Sequence, residues 1–503
     1  MTANSIMIQG TASSVGKSVI AAGLCRIFSQ DGYKVAPFKS QNMALNSFVT
    51  RDGKEMGRAQ VVQAEACKVE PDVKMNPVLI KPVAERKAQV IVEGKVYGNM
   101  SAIEYHNFKP GLAKLVKNIY NELAVKNDII ILEGAGSPAE INLRDKDIVN
   151  MGMAEMSDSP VVLIGDIDKG GVFASLVGTM MLLSDNERDR VKGVIINKFR
   201  GDIELLRPGL KTLEKLLKVP VIGVIPYFNH VIDDEDSLGE RLLKSEKAGL
   251  DEIDVVVIKL PHISNFTDFN VFESIEGVKV RYVDDSCQIG NPDLVIIPGT
   301  KNTIGDLLFL RKNGFEEVIL NLNKEGTVIF GICGGYQMLG EEILDLHGVE
   351  SDISYVKGFG ILNFKTVFKQ EKSTKRIVAR ITESSFKRDA LSDTVEGYEI
   401  HMGNTEYSKD CITFIKSLED NLPLGIRNKK GNVLGTYLHG IFDNVDFTIS
   451  LINKIRSKKG FADIDKNFIK YKDMKEQEYD KLAEILRANL DISFLYKIMN
   501  FNI

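Results

Sequence analysis

The sequence predicts two α/β domains, the first of them built on a doubly wound, mostly parallel sheet. Short, continuous apolar runs recur along the chain, as expected for strands that are buried on both faces of a parallel sheet. Longer helical patterns separate many of these runs, and this alternation of strand and helix is typical of doubly wound folds. With 503 residues, the chain is long enough for two large domains.

The candidate strands form two series along the chain. The first series lies at 5–9, 33–38, 128–133, 160–166, 191–197 and 219–226. The second lies at 254–260, 278–284, 293–300, 326–335 and 431–440, with a stretch richer in antiparallel strands between FGILNF and EGYEIHMG. We therefore place the domains at 1–235 and 251–447, joined by an acidic, polar linker at 236–250 and followed by a charged helical tail at 448–503.

The composition is that of an ordinary globular protein. The chain is 44% hydrophobic and 26% charged, and its net charge of −5 argues against a nucleic-acid or anionic-membrane surface. No apolar run approaches the length of a membrane-spanning helix, and the five cysteines show no paired spacing for disulfides or zinc. The N-terminus lacks the basic region of a signal peptide, so we expect a cytoplasmic protein.

The stretch QGTASSVGKS predicts a phosphate-binding loop. It lies between a predicted strand and a predicted helix, where backbone N–H groups and the helix N-terminus face anionic phosphate. Five residues separate Gly10 from Gly16, where the standard P-loop has four. Lys17 would reach the β- and γ-phosphates, and the Ser18 hydroxyl would bind Mg²⁺. The alternative is a tight strand–helix turn; the Lys-Ser pair favours the nucleotide site, to which we also assign Thr11.

The stretch TVIFGICGGYQMLG predicts a cysteine nucleophile. Cys333 lies between an apolar strand and a helix, and its small neighbours Gly331 and Gly335 permit the strained turn of a nucleophile elbow. The helix N-terminus favours an anion at this point. Backbone N–H groups at Gly334, and at Gly299 in the strand end IIPGT, would stabilise an oxyanion. The alternative is a buried structural cysteine.

A nucleophilic cysteine needs a base, and two histidines are candidates. His439 closes the predicted strand VLGTYLHG and is followed by a glycine. His401 in GYEIHMG is the rival base, and a structural role in a strand is its alternative. We assign His439 as the base.

The lengthened phosphate loop resembles that of dethiobiotin synthetase and its relatives, which have the form Gly-x₅-Gly-Lys-Ser/Thr. ILEGAGS resembles their Glu-Gly-Ala-Gly turn, and the resemblance implies that Glu133 helps to hold Mg²⁺. Asn197 in IINKFRG resembles the base-reading asparagine of the family, with a capping residue as the alternative. Guanine readers carry Asn-Lys-x-Asp, whereas Arg200 stands at the fourth position here, which favours ATP over GTP.

The order of Cys333 and His439 resembles that of the class I, triad-type glutamine amidotransferases. The resemblance implies that glutamine is the source of ammonia. In many of these enzymes a glutamate two residues after the base orients it. Ile441 stands at that position here, so the sequence does not identify a third triad residue.

An ATP-using domain of this type followed by a glutaminase domain resembles the cobyric acid synthase family of cobalamin biosynthesis. The strings that carry the resemblance are APFKSQNMALNS, GKEMGRAQ, MNPVLIKP, SPAEINLRDKDIVNMGMAE, GDIDKGGVFAS and PHISNFTDF. The resemblance implies that the b, d, e and g carboxylates of adenosylcobyrinic acid a,c-diamide are amidated to give adenosylcobyric acid. Each amidation would use one glutamine and one ATP.

Two of these strings offer polar side chains for the corrinoid. KSQNMALNS follows a predicted strand, where α/β sheets place ligand sites. NLRDKD is a charged loop that would handle Mg²⁺ or substrate, with a solvated loop as the alternative. The residues assigned to substrate are Lys39, Gln41, Asn42, Asn46, Asp145 and Asp147.

Two other functions fit parts of the sequence. A P-loop switch ATPase would use the nucleotide site and leave Cys333 without a role. A related amidotransferase would act on another carboxylate, such as a cell-wall glutamate. The string KSQNMALNS favours the corrinoid over both.

Overall fold

The structure is a computed structural model that describes residues 3–84, 87–230, 232–233, 247–383, 393–464 and 471–501. Most of the predicted linker, 236–246, lies outside the described residues.

The elements of the first domain follow the predicted alternation of strands and helices. Its strands are β1 (Asn4–Gly10), β2 (Val35–Phe38), β3 (Gln41–Met43), β4 (Ser47–Val49), β5 (Glu55–Gly57), β6 (Val78–Ala84), β7 (Lys87–Val92), β8 (Lys95–Ser101), β9 (Ile129–Glu133), β10 (Val161–Asp166), β11 (Val191–Phe199) and β12 (Val221–Pro226). Its helices are α1 (Lys17–Gln30), α2 (Arg58–Ala66), α3 (Ala102–Ala124), α4 (Met151–Ser157), α5 (Val172–Leu182), α6 (Asp185–Arg190) and α7 (Ile203–Leu217).

The central sheet of the first domain has the strand order β12–β11–β10–β1–β9–β2 in the part of the chain that the structure describes, and all its neighbouring strands are parallel. The predicted doubly wound, parallel domain is confirmed. The chain moves from β1 to β2, returns to β9 and then crosses to β10 on the other side of β1. Such a switch point opens a crevice at the carboxyl ends of the strands, where α/β sheets bind ligands.

Residues 41–101 add two small sheets that the sequence analysis did not assign. One has the order β3–β6–β7–β8, and the other pairs β4 with β5. Most of their strands are short or mix exposed and buried positions, so these strands lack the continuous apolar runs that marked the parallel strands. Together they carry the predicted KSQNMALNS segment to the border of the second domain.

The second domain has its own α/β order. Its strands are β13 (Ile253–Ile258), β14 (Val278–Val283), β15 (Leu294–Ile297), β16 (Val328–Ile332), β17 (Glu342–Leu344), β18 (Tyr355–Lys357), β19 (Phe364–Ile381), β20 (Thr394–Tyr407), β21 (Ile412–Ser417), β22 (Pro423–Arg427) and β23 (Val433–Thr436). The helices from here to the C-terminus are α8 (Thr303–Lys312), α9 (Phe315–Glu325), α10 (Gly334–Leu339), α11 (Val445–Lys458), α12 (Tyr471–Asn489) and α13 (Ile492–Ile498).

One large mixed sheet forms the second domain. Its parallel part has the order β14–β13–β15–β16–β23, and the path continues through β22, β21, β19, β17 and β18, with β20 paired to β19. The β19–β20 pair falls in the stretch predicted to be richer in antiparallel strands and is antiparallel. The pairs β23–β22, β22–β21 and β21–β19, which involve strands beyond that stretch, are antiparallel as well. A 3₁₀ helix, Phe266–Ser274, follows β13 and packs at the carboxyl edge of the parallel strands.

The C-terminal helices return to the first domain. Leu486 of α12 packs so closely on α1 that a Cβ on Gly23 would lie 2.3 Å from its Cδ1. Arg26 of α1, which is buried, forms ion pairs with Glu476 at 2.8 Å and with Asp480 at 2.7 Å. Some charged side chains of this C-terminal segment therefore form ion pairs with a buried residue of the first domain. No described helix combines the length and the apolar character needed to cross a membrane.

Candidate active site

The phosphate loop lies at the carboxyl end of β1, in the crevice beside the switch point. Gly16 has a left-handed backbone with φ of 100°, and a Cβ at this position would lie 2.2 Å from Asn197 Nδ2. Glycine is therefore required here by conformation and by space. The Lys17 ammonium donates to the carbonyls of Ala12 at 2.9 Å and Gly136 at 3.1 Å, across the loop that would surround a phosphate.

Two other loop residues make backbone contacts. The Thr11 N–H donates to the carbonyl of Ile164 at 2.9 Å, and Gly10 is the last residue of β1. A Cβ on Gly10 would lie 2.5 Å from a Val15 methyl group, so the loop folds tightly over the strand end. Their predicted contact with nucleotide stays a prediction.

Glu133, at the end of β9, is the centre of a buried polar cluster. Ser18 Oγ donates to its Oε1 at 2.7 Å, and Lys39 Nζ lies 2.9 Å from the same atom. Gln63 Nε2 donates to Oε2 at 2.5 Å. The Ser18 hydroxyl and the Glu133 carboxylate thus lie together beside the phosphate loop. Oxygen ligands of these two kinds are typical of Mg²⁺ sites that also include phosphates. In the described residues no group of three or more His, Cys, Asp or Glu side chains is placed to hold a metal ion.

Asn197 lies under the phosphate loop. Its Nδ2 donates to the Val15 carbonyl at 2.8 Å, and the side chain is buried. This contact braces the loop, and the base-reading role stays a prediction. Arg200, at the position where guanine readers have Asp, pairs with Asp168 at 2.8 Å and lies over the Tyr227 ring at 3.4 Å.

The structure distributes the predicted substrate residues over several contacts. Lys39 is buried against Glu133, and Asn42 Nδ2 donates to Gln60 Oε1 at 3.0 Å. Gln41 Oε1 accepts from the Tyr105 hydroxyl at 2.6 Å. The Asn46 side chain is not directed at the nucleotide crevice; its Oδ1 accepts from the backbone N–H of Phe266 in the second domain at 3.2 Å.

The other two predicted substrate residues belong to a 3₁₀ helix, Ile141–Lys146, and to the residue that follows it. Asp145 lies in it and is exposed. The Asp147 carboxylate accepts from the backbone N–H groups of Val149 at 2.8 Å and Gly152 at 3.0 Å. Asp147 thereby shapes the turn into α4, and Asp145 is the one of the two that is open to solvent. Their roles toward substrate or Mg²⁺ stay predictions.

Cys333 lies at the turn between β16 and α10. Its backbone has φ of 48° and ψ of −107°, an unfavourable region for a residue with a side chain, as expected for a nucleophile elbow. A Cβ on Gly335 would lie 2.0 Å from the Ile297 carbonyl oxygen, and one on Gly331 would lie 2.8 Å from the Tyr336 nitrogen. The two glycines of the predicted frame are therefore required by backbone packing.

His439 lies beside Cys333 and is held by a carboxylate that the sequence analysis did not identify. It comes three residues after the end of β23, and its Nδ1 lies 2.7 Å from Asp268 Oδ2 in the 3₁₀ helix. His439 is 1% exposed and Asp268 5%, so water competes little for this contact. Burial lowers the pKa of His439, but the charge and hydrogen bond of Asp268 and the contact with Cys333 outweigh it and raise the pKa to about 10. The imidazole therefore carries a proton at neutral pH.

His401 lines a pocket beside Cys333, but its surroundings differ from those of His439. Its Nδ1 lies 2.7 Å from the Gly403 carbonyl oxygen, and its ring stacks on Tyr437 with centroids 3.9 Å apart. Glu399 lies 3.6 Å from its Nε2. The stacking and the carbonyl contact fix His401 as a wall of the pocket, which supports the assignment of His439 as the base.

The two glycines predicted to form an oxyanion hole lie close to the nucleophile and the base. A Cβ on Gly299 would lie 3.1 Å from His439 Cε1, and one on Gly334 would lie 3.2 Å from the Thr300 backbone nitrogen. The Gly335 N–H already donates to Pro298 at 3.1 Å, so it is engaged elsewhere. The Gly299–Thr300 turn and Gly334 thus lie close together, and their role as oxyanion donors stays a prediction.

The pocket beside Cys333 is rich in charged side chains. Lys81, Lys301, Lys372 and Glu350 line it together with Cys333. Lys81 belongs to β6 of the first domain, so the pocket lies at the border of the two domains. Burial raises the pKa of Glu350 to about 7 despite the opposing charge of Lys301.

Lys301 has no counter-ion of its own in the described part of the chain, where neither a hydrogen bond nor a close ion pair is found for its ammonium group. Burial and the charge of Lys81 lower its pKa, and Glu350 acts in the opposite direction. A cation and a carboxylate that line one pocket with a thiol suit a ligand that carries both charges.

Asp268, Lys301 and Glu350 are the site residues that the sequence analysis missed. Asp268 lies in PHISNFTDF, which contributed to the resemblance without a role for its carboxylate, and it precedes His439 by 171 positions. Lys301 directly follows the predicted oxyanion turn in IIPGTK, so its position was the one usable signal.

Comparison with known proteins matches both halves of the chain. Residues 6–238 match the CobQ/CobB/MinD/ParA nucleotide binding domain, and residues 254–447 match the CobB/CobQ-like glutamine amidotransferase domain. Cobyric acid synthase of Alkaliphilus metalliredigens is 54% identical over 98% of this chain and 99% of its own length. The cobyric acid synthases of Clostridium botulinum strain Okra and of Thermoanaerobacter sp. are 54% and 53% identical, each over 98% of this chain and 99% and 98% of their own lengths.

Asp268→Asn should reduce glutamine hydrolysis by about a hundredfold or more. The substitution removes the carboxylate that orients His439 and stabilises its protonated form. With the carboxylate gone and burial unchanged, the pKa of His439 should fall from about 10. The proton should then be lost at lower pH than in the wild type. Glutamate release measured from pH 6 to pH 10 would show the loss and the shifted profile. His401→Ala serves as the comparison; the assignment is wrong if that variant loses hydrolysis while His439→Ala and Asp268→Asn keep it.

Proposed function

This chain belongs to the cobyric acid synthase family, and on that premise we propose that it amidates the b, d, e and g carboxylates of adenosylcobyrinic acid a,c-diamide with ATP and glutamine, giving adenosylcobyric acid. The observation that carries the proposal is the presence in one chain of both required centres. A phosphate loop lies beside Glu133, and Cys333 lies beside a His439–Asp268 pair.

The first centre would activate the carboxylate. A carboxylate is a poor acyl electrophile, and transfer of a phosphoryl group from ATP converts it to an acyl phosphate. Lys17 would neutralise charge on the transferred group, because its ammonium already lies across the loop. Bound Mg²⁺ would supply further charge neutralisation between the phosphate oxygens, with Ser18 and Glu133 as its protein ligands. Lys39 and Gln63 hold Glu133 in place.

The second centre would release ammonia from glutamine. Cys333 sulfur attacks the side-chain amide carbon, and backbone N–H groups around Gly299 and Gly334 stabilise the tetrahedral oxyanion. His439 holds the proton that the thiol gives up before the attack and passes it to the departing nitrogen, so ammonia leaves and a thioester remains. Water then hydrolyses the thioester to glutamate and free thiol. Asp268 orients the imidazole and stabilises its protonated form.

The charges in the pocket support glutamine as the ligand of the second centre. Free glutamine carries an α-carboxylate and an α-ammonium group. Lys301 would bind the carboxylate and Glu350 the ammonium, since both side chains line the pocket with Cys333. The Thr303 N–H donates to one Glu350 carboxylate oxygen at 2.8 Å, which holds the carboxylate at the pocket.

The function is tested by incubating the protein with ATP, Mg²⁺, glutamine and cobyrinic acid a,c-diamide. We expect four amidations, each seen as the mass change from acid to amide, with one glutamate released per amide. ATP and glutamine each should be required. If the corrinoid keeps its mass and another substrate, such as a cell-wall glutamate, is amidated instead, the proposal is refuted in favour of a related amidotransferase. Nucleotide-dependent dimers without amidation would favour a switch ATPase.

Cys333→Ser should separate the two chemistries. A serine keeps the elbow but is a much weaker nucleophile, so glutamine-dependent amidation should fall by about a thousandfold or more. Amidation with ammonium chloride at alkaline pH should continue, because the nucleotide centre lies in the other domain. Lys17→Ala is the reciprocal variant and should lose amidation with either nitrogen source. Retained glutamine-dependent amidation in Cys333→Ser, or wild-type amidation in Lys17→Ala, would contradict the assignments.

Lys301→Met should weaken glutamine binding more than it slows turnover. Loss of a charge-assisted hydrogen bond typically costs about 1.5–3 kcal/mol, so KM for glutamine should rise about tenfold or more. Amidation supported by ammonia should be near the wild-type rate, which provides the control within the same protein. Lys357→Met, at an exposed position of β18, is the matched control. An unchanged KM in Lys301→Met would exclude this role.

A further inference from the structure

One short segment of the first domain contacts both centres. At its start, Lys39 Nζ lies 2.9 Å from Glu133 Oε1. Asn42 Nδ2 donates to Gln60 Oε1 at 3.0 Å, and Gln60 in turn lies 3.5 Å from Glu133. The segment then crosses β3 and reaches the second domain at Asn46.

At its end, the segment holds the 3₁₀ helix that carries Asp268. Asn46 Oδ1 accepts from the Phe266 N–H at 3.2 Å, and the Ser47 N–H donates to Asn265 Oδ1 at 3.2 Å. Asn265 is the residue that opens the helix, and its backbone is left-handed with φ of 52°. Both bonds cross the domain border and join the first turn of the helix, in which Asp268 follows directly.

Tyr398 links the same contacts to His439. Its hydroxyl donates to the Ser47 carbonyl at 3.2 Å and accepts from Asn265 Nδ2 at 3.1 Å. Its ring stacks on the His439 ring, with centroids 5.4 Å apart and an angle of 18° between the planes. The backbones of the two residues exchange hydrogen bonds of 3.1 and 2.9 Å. The base thus contacts both Asp268 and Tyr398. Tyr398 bonds directly to Ser47 of the first domain, and Asp268 is linked to that domain through Asn265 and Phe266 of the same helical turn.

These side chains are inaccessible to a corrinoid in this arrangement. Asn46 and Asn265 are each 1% exposed, and Asn46 Oδ1 and both polar side-chain atoms of Asn265 are used in the contacts just described. Buried polar groups are normally paired, and an N–H left without its acceptor costs free energy. The Phe266 N–H would lose its acceptor if the Asn46 side chain were removed, and the turn that carries Asp268 would be free to shift.

We propose that Asn46, acting with Asn265 and Tyr398, is a positioning residue for the Asp268–His439 pair, so that the first domain sets the geometry of glutamine hydrolysis in the second. This reassigns Asn46 from corrinoid binding to the domain border. The segment that holds Glu133 thereby also holds the base. The inference rests on the proposed function only in the choice of the corrinoid as the substrate whose carboxylates are amidated.

The test compares Asn46→Ala and Tyr398→Phe with Thr374→Val. Tyr398→Phe keeps the ring that stacks on His439 and removes only the hydroxyl. Thr374 Oγ1 donates to the Gly53 carbonyl at 2.9 Å, a hydrogen bond across the same border that involves neither the 3₁₀ helix nor Tyr398, so Thr374→Val is the matched control. Glutamate release, its pH profile, and amidation with ammonium chloride are measured for each.

In Asn46→Ala and Tyr398→Phe, glutamate release should fall by about tenfold or more, since small misplacements of catalytic groups have effects of this size. Amidation with ammonia should be near wild type. The alkaline limb of the glutamate-release profile should move to lower pH as His439 loses its contact with Asp268, a change that a general loss of folded protein would not produce. Thr374→Val should match the wild type in all three measurements.

Two results would overturn the inference. One is glutamate release in both variants equal to that of Thr374→Val. The other is a parallel loss of ammonia-supported amidation with an unshifted pH profile, which would place these residues in the substrate site or the fold. If Asn46→Ala does not fold, Tyr398→Phe decides alone. If the wild type amidates no corrinoid, the proposed function fails, while the glutamate-release rates and pH profiles still judge the positioning role.

Discussion

Charges buried between the two domains must be paired, and this requirement fixes how the domains meet. Glu55 of the first domain lies between Lys81, at 2.9 Å, and Lys372 of the second domain. Burial alone would raise the pKa of Glu55, but the two ammonium groups outweigh it and hold that pKa well below its usual range. Removal of one partner from such a buried pair typically costs about 3–5 kcal/mol. An arrangement of the domains that separated Glu55 from Lys372 would therefore leave buried charge with fewer partners.

A second buried cluster extends this constraint to the C-terminal helix. Arg58 of α2 forms an ion pair with Asp233 at 2.7 Å, and Asn270 of the 3₁₀ helix donates to the same carboxylate at 2.8 Å. Lys475 of α12 lies 3.5 Å from Asp233, and Tyr479 donates to Glu65 of α2 at 2.7 Å. Helix α2 carries Gln60 and Gln63, which contact Glu133, while the 3₁₀ helix carries Asp268. One cluster thus connects the elements that support each centre, and the charged C-terminal segment belongs to it.

The division of labour between the domains follows from the chemistry. Phosphoryl transfer needs a cradle of backbone N–H groups and cations, which the carboxyl end of a parallel sheet and a helix N-terminus provide. Amide hydrolysis needs a nucleophile with a base at its side, and the strained strand–helix turn holds the buried Cys333 beside His439. Each centre is therefore local to one sheet edge. Lys81 of the first domain lines the pocket of Cys333, so the glutaminase pocket includes side chains of both domains.

The sequence by itself determined the parallel sheets, the phosphate loop and the cysteine elbow, because each depends on residues that are adjacent in the chain. Apolar runs define strands, and Gly16, Lys17 and the glycines around Cys333 are set by the backbone geometry of a single turn. It did not indicate the small sheets of residues 41–101, because most of their strands are too short or too exposed to show a recognisable hydrophobic periodicity. Nor did it give Asp268 as the partner of His439, or Asn46 as a contact of the second domain. Those relations join residues far apart in the chain, and only the packing of the two domains decides which of them touch.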